Sequence, residues 1–176
     1  MLRVKDLENQ VYTLNERYWA LDQYTRRENI EILNIPDRIK QNELEAYVIV
    51  ILKGIGLVNI CSYDIAACHR LRKNSSHKYS PTIVRFVNRK DAIDAMLMRF
   101  NTTLRAMPFP EETLIITENL VSPRKRIFRK LRDIKRCGII SSLWTKNGTI
   151  YIRKFDENKL IKITSERQLQ QHFSDT

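Results

Sequence analysis

Residues Thr82-Ile83-Val84-Arg85-Phe86-Val87 form the strand on which the reading of the fold turns. No Gly or Pro interrupts it, β-branched and aromatic side chains dominate it, and its period of two separates Val84 and Phe86 from Ile83 and Arg85. Downstream, Asp91 to Phe100 has helical spacing, with Ala92, Ala95, Met96 and Phe100 on one face. Beyond Pro108 and Pro110, Leu114-Ile115-Ile116-Thr117 is a further strand. Upstream, Asp64 to Leu71 is a strand, preceded by a helix with Asn42 as N-cap and Glu43 and Glu45 in its first turn. In that helix Leu44, Tyr47, Val48, Ile51, Leu52 and Ile55 recur at helical spacing, and Gly54 or Gly56 stops it. Ile30-Glu31-Ile32-Leu33-Asn34-Ile35, ended by Pro36, is the first strand. The order β-α-β-β-α-β is the split βαβ plan of ferredoxin-like domains and predicts an α+β fold over residues 28–120.

Two further segments flank this domain. In residues 1–27, Val4, Leu7, Val11, Leu14, Tyr18 and Leu21 alternate at spacings of three and four, the seam of a coiled coil and a candidate surface for oligomerisation. Val at a and Leu at d lean towards a dimer, an inference that Tyr18 at an a position weakens. Residues 121–176 form a small basic α/β domain: a helix from Ser122-Pro123 to about Cys137, ended by Gly138, then strands 140–145 and 149–154 joined at Asn147-Gly148. A third strand near Ile161-Lys162-Ile163 precedes a last helix, capped by Ser165, with Leu169 and Phe173 inward.

The formal net charge of +11 is distributed unevenly: +1 on residues 1–27, +1 on residues 28–120 and +9 on residues 121–176. A concentrated excess of this kind is the footprint of a polyanion partner. The longest apolar run, Ala46 to Leu52, is too short to span a bilayer, no secretory leader pattern opens the chain, and a cytoplasmic or nuclear setting is expected. Cys61, Cys68 and Cys137 are expected as thiols. A zinc site is not expected, because the chain has no CxxC or HxxxH pair and the adjacent Cys68 and His69 point to opposite faces of a strand. No phosphate loop or nucleophile elbow is present and no carboxylates pair in an apolar setting, so neither catalysis nor a cofactor is expected.

The helix 122–137 carries eight cations and one acid, Asp133, an imbalance that ion pairing along the helix cannot offset. Arg124, Arg126, Arg129 and Lys130 are its candidate phosphate contacts, and the hairpin adds Lys146 and Arg153 beside Trp144 and Tyr151. Cations take phosphates and aromatic plates stack unpaired bases, so the set points to single-stranded RNA or DNA; hairpin core is the competing assignment for the two aromatics. The first domain invites comparison with the RNA-recognition motif, whose first and third strands carry base-stacking aromatics. Here Glu31, Ile83 and Arg85 stand at those places. Binding there would rest on charge, with Arg70, Arg72, Lys73 and Arg85 as candidates.

The chain resembles the RNA-binding half of the first-open-reading-frame proteins of LINE-type retrotransposons, from the coil through Phe173. The resemblance is carried by Arg26-Arg27-Glu28-Asn29-Ile30-Glu31-Ile32, by His69-Arg70-Leu71-Arg72 with Pro81-Thr82-Ile83-Val84-Arg85-Phe86, and most specifically by Leu143-Trp144-Thr145-Lys146-Asn147-Gly148-Thr149-Ile150-Tyr151-Ile152-Arg153-Lys154. The last stretch is also similar to the C-terminal domain of the baculovirus few-polyhedra protein. The resemblance implies a homotrimer that coats its RNA and acts as a nucleic-acid chaperone, with Arg70, Arg72, Arg85, Arg126, Arg129 and Trp144 at the RNA. The alternative is a viral or domesticated structural protein of the few-polyhedra kind that assembles through its coil. A membrane-surface role is not expected, since no amphipathic anchor with exposed large apolar residues accompanies the charge.

Overall fold

Ile30 and Ile32 place strand β1 (Asn29–Leu33) at the centre of a sheet, where both are fully buried. The structure, a computed structural model, describes residues 2–73, 77–98, 105–106, 109–155 and 159–173, with the backbone alone for residues 2, 105–106 and 109–112. The expected last turn at Phe100 and loop 74–76 lie outside the described residues. The chain divides into two compact units, Arg27–Asn119 and a composite of Met1–Arg26 with Leu120–Thr176.

In the first unit, β1 lies between β3 (Thr82–Phe86) and β6 (Ile115–Glu118), and β2 (Ile65–Arg70) pairs with the far edge of β3. All three pairings are antiparallel, with Ile30 opposite Val84 and Glu118. Helices α2 (Gln41–Gly54) and α3 (Arg89–Met98) supply the rest of the core: Leu44, Val48, Ile51 and Leu52 from α2, Ala92 and Ala95 from α3. The alternation of β3 predicted Val84 and Phe86 inward, and both are buried against these helices. The residue flanking α2 is Lys40, not Asn42; its N–H donates to the Glu43 carboxylate. A two-stranded hairpin, β4 (Arg105–Ala106) with β5 (Phe109–Thr113), was not expected from a stretch rich in Pro.

The second unit has its own core. Helix α4 (Ser122–Arg136) contributes Ile127 and Leu131, and the three-stranded antiparallel sheet of β7 (Ile140–Lys146), β8 (Thr149–Lys154) and β9 (Leu160–Ile163) contributes Ile140, Ile150, Ile152, Ile161 and Ile163. Helix α5 (Glu166–Phe173) adds Leu169, and the Ser165 hydroxyl caps it by accepting the Gln168 N–H at 3.3 Å. The β7–β8 turn places Asn147 at φ 52° and Gly148 at φ 72°, the left-handed pair that a two-residue hairpin of this twist requires.

The long helix α1 (Leu2–Thr25) is part of this second unit. Its Gln23 is 6% exposed and accepts the Val121 N–H at 2.9 Å, so Val121, not Ser122, is the residue flanking α4. A side chain on Gly148 would run into Gln23, a second reason for glycine at the turn. Towards the middle of α1, the Arg167 guanidinium lies 3.6 Å from the centre of the Tyr12 ring and donates to Asn9 Oδ1 at 3.2 Å. Helix α1, whose seam the spacing predicts as a coiled coil, thus also packs along a second face on the basic module.

Candidate nucleic-acid interface

Successive residues of an α-helix are turned by about 100°, so α4 can be laid out as a wheel. Ile127, Leu131 and Ile134 face the sheet. Lys125, Arg129, Arg132 and Arg136 fall within a sector of about 60° on the side directly away from it. They form a row about 16 Å long with steps of roughly 4.5–6 Å. Arg129, Arg132 and Arg136 are exposed, and Asp133 pairs with Arg136 at 3.1 Å. The remaining candidates are placed differently. Arg124 is half-buried and donates to the Gly148 carbonyl at 2.7 Å, and Lys130 is paired with Glu166. Arg126 is exposed on the flank of the row. By composition alone Arg124 and Lys130 are indistinguishable from the other cations of the helix. The wheel, which needs only the sequence and the identity of the buried face, brings in Lys125, Arg132 and Arg136.

The hairpin settles the open assignment of its aromatics. Ile150 and Ile152 occupy the core, so the residues alternating with them point to the other side of the sheet. Trp144 and Tyr151 are direct cross-strand partners on that outer side, with ring centres 5.8 Å apart and planes 17° apart. Lys162 follows Tyr151 in the same cross-strand row. The Arg153 guanidinium stands 5.8 Å from the Trp144 ring centre. Arg153, Lys162 and Leu160 are exposed, and the two aromatics are half-buried against each other. The alternation of β9, with Ile161 and Ile163 buried, is the local signal that places Lys162 on the outer side. Lys146 is exposed at the end of β7.

The expected sites in the other unit divide. Arg70 is a clamp within the fold: its guanidinium donates to the carbonyls of Ile35 at 3.1 Å, Pro36 at 2.7 Å, Ile39 at 3.0 Å and Ser80 at 3.3 Å, with Asp37 at 3.6 Å. Its side chain is 16% exposed. These contacts leave its donors turned to backbone and not to a phosphate. Arg72 and Lys73 are exposed, Lys73 with Asp37 at 3.8 Å. Arg85 is exposed, 3.7 Å from Glu28. On that side of the sheet the cross-strand row is His69, Ile83, Glu31 and Thr117, with no aromatic, and Glu31 is 4% exposed.

On α1 the predicted seam stands open. Val4, Leu7, Val11, Leu14, Tyr18 and Leu21 are each 53–64% exposed, on the side away from the Tyr12–Gln23 face. Glu16 belongs to that second face. It helps to line a cleft of about 160 Å³ with Tyr12, Trp19, Arg124, Arg126 and Glu166. Burial raises its pKa, against the opposing influence of Arg124, the Tyr12 hydroxyl and Arg167.

Among the described residues no group of three or more His, Cys, Asp or Glu is placed to hold a metal ion. No described helix is long and apolar enough to cross a membrane. No family model matches the sequence, and no curated protein matches it. Among solved structures, the chain is similar to the C. elegans NONO-1 homodimer at 13% identity, with a TM-score of 0.33, covering 84% of this chain and 54% of that one. The chain thus spans about half of that neighbour, and a superposition at this level bears on neither fold nor function.

Proposed function

We propose that this chain is a non-enzymatic, single-stranded nucleic-acid binding protein, with RNA as its first ligand, that self-associates through α1. One observation carries the reading: the row Lys125, Arg129, Arg132 and Arg136 directly opposite the packed face of α4. No packing need explains four cations on one helix face, and a phosphate backbone matches such a row because each neutralised phosphate releases counterions. The test is fluorescence anisotropy with a single-stranded RNA of roughly 30 nucleotides across a salt series, beside duplex DNA. Tight binding that falls steeply with salt and favours the single strand is expected. The double variant Arg129→Ala/Arg132→Ala should lower the log–log salt slope by about 1.4, two contacts at about 0.7 each. Absence of binding at low salt, or an unchanged slope, would sink the proposal.

Self-association rests on the open seam and on the charges beside it. With Val4, Val11 and Tyr18 at a, the g positions hold Arg3, Gln10 and Arg17, and the e positions hold Glu8, Asn15 and Asp22. In a parallel, in-register pair each g residue faces the partner's e residue five positions on, matching Arg3 with Glu8 and Arg17 with Asp22. An antiparallel pair would oppose like charges. The finer reading follows the sequence resemblance: an RNA-recognition-motif-like unit at residues 28–120 and a place in a retrotransposon-type ribonucleoprotein, with chaperone activity and a trimeric or dimeric coil, in cytoplasm or nucleus. A few-polyhedra-like structural role would instead put a different chain on the same seam. Sedimentation of the pure protein separates the two, since a monomer removes self-association.

A further inference from the structure

The cation row of α4 and the Trp144–Tyr151 pair lie on opposite sides of one small module. The buried face of α4 rests on the inner side of the β7–β9 sheet, through Ile127 and Leu131 against Ile150, Ile152, Ile161 and Ile163. The cations point away from that contact, and the aromatics project from the outer side of the sheet. A helix roughly 10 Å across and the sheet itself therefore separate the two surfaces. The two chemistries that composition had joined into one site are held apart by the fold.

We infer that the outer sheet face is a second nucleic-acid site, selective for unpaired bases, and that one module holds two separate strand segments at once. The inference rests on the nucleic-acid reading of α4 and adds a ligand class and a geometry to it. Each side of the module is suited to a different part of the ligand. The α4 row offers charge without a stacking surface, so it takes the phosphates of any polyanion, duplex included. The outer sheet face offers a preformed aromatic stack in line with Lys162, with the Arg153 guanidinium close to the Trp144 ring. A base laid on Trp144 or Tyr151 extends the stack while Arg153, Lys162 and Lys146 meet its flanking phosphates. A duplex cannot use that face without unstacking. The exposed Leu160, opposite Arg153 on β9, continues the apolar floor. A short oligonucleotide cannot reach round the module to both sides, so two should bind.

The experiment uses the full chain and single-stranded RNA of about 6 nucleotides, too short to span both faces. Calorimetry or native mass spectrometry should give two oligonucleotides per chain. Trp144→Leu/Tyr151→Leu should remove one of them, weakening it tenfold or more as the loss of at least one stacked base predicts. It should leave the salt slope of the other unchanged. Arg129→Ala/Arg132→Ala should weaken the other, and inorganic polyphosphate should displace that one alone. Single-stranded RNA should quench a tryptophan signal that disappears in Trp144→Phe, whereas Trp144→Phe should retain both sites, which separates loss of stacking from loss of fold. One oligonucleotide per chain, or both double variants weakening the same event, overturns the inference while leaving nucleic-acid binding in place. A sheet face that takes a protein and no RNA overturns it too. Absence of any binding by the wild-type chain would overturn the α4 reading, and this inference with it.

Discussion

Replacing Arg70 by alanine removes the one guanidinium to which four backbone carbonyls, on residues 35, 36, 39 and 80, direct their lone pairs. Hydrogen bonds to a charged donor are the stronger kind, and the carbonyls would keep their desolvation cost without it. Arg70→Ala should therefore cost about 2–4 kcal/mol in denaturant unfolding, and Arg70→Lys should recover only part of it, since an ammonium cannot fork to four acceptors. The RNA salt slope of Arg70→Lys at a temperature where it is folded should match wild type. A reduced slope would return Arg70 to the interface. Cys68 is a second residue-scale case. Burial and the nearby Glu45 push its thiol up to about 12, while Cys61 and Cys137 are exposed. Titration with an aromatic disulfide at pH 8 should label two thiols promptly and the third only in denaturant. Three prompt thiols would mean that the β2–α2 packing opens readily.

Helix α1 shows what one element can do with two faces. Glu16 lies on the face that meets the basic module, and burial is the largest cause of its raised pKa. The folded state thus holds the Glu16 proton more tightly than the unfolded chain, whose value is near 4.5. The contribution is absent from the ionised protein and appears as pH falls through the folded pKa, so Glu16 works against stability at neutral pH. Glu16→Gln should leave Tm at pH 7 the same or raise it by a few degrees, and the wild-type deficit should vanish below pH 4.5. A Tm that drops at pH 7 would mean that attraction to Arg124 and Arg167 outweighs burial. On the opposite face, Arg17→Glu should weaken self-association and Asp22→Arg in the same chain should restore it if the helices run parallel. Asp22 also holds Arg26 at 2.8 Å within its own helix, so the rescue should be partial. Failure of any rescue would reject the parallel register.

At the scale of the whole chain, α1 carries both the open apolar seam and the face that packs on the basic module. Deleting residues 1–26 removes Tyr12, Trp19 and Gln23 from the basic module along with the seam, so the truncated chain should lose thermal stability in that unit. The cleaner probe is Leu7→Asp/Leu14→Asp, two exposed positions whose change should leave Tm within a few degrees and the chain monomeric in sedimentation. If self-association supplies avidity, that variant should bind a long single-stranded RNA at least tenfold more weakly than wild type, yet equal it on a six-nucleotide RNA. Equal affinity on both would show that assembly serves some purpose other than binding.

Much of this was legible along the chain. The order of β1, α2, β2, β3, α3 and β6 follows from period, Gly and Pro placement, because those signals are local to each element, whereas the short β4–β5 pair carries no such signal. The charge excess at residues 121–176, the seam of α1 and the turn at Asn147-Gly148 are equally local. Which cations are available for a ligand was not. Arg70 and Arg72 stand two residues apart with the same side chain, and only convergence of carbonyls from residues 35–39 and 80 makes the first a clamp. Trp144 could be core or surface until Ile150 and Ile152 were seen to fill the core, and α4 and the hairpin aromatics read as one site until packing set them on opposite sides. Local pattern fixes which face of an element is apolar. Which element covers that face, and therefore which polar groups point together or apart, is decided by contacts between residues distant in sequence.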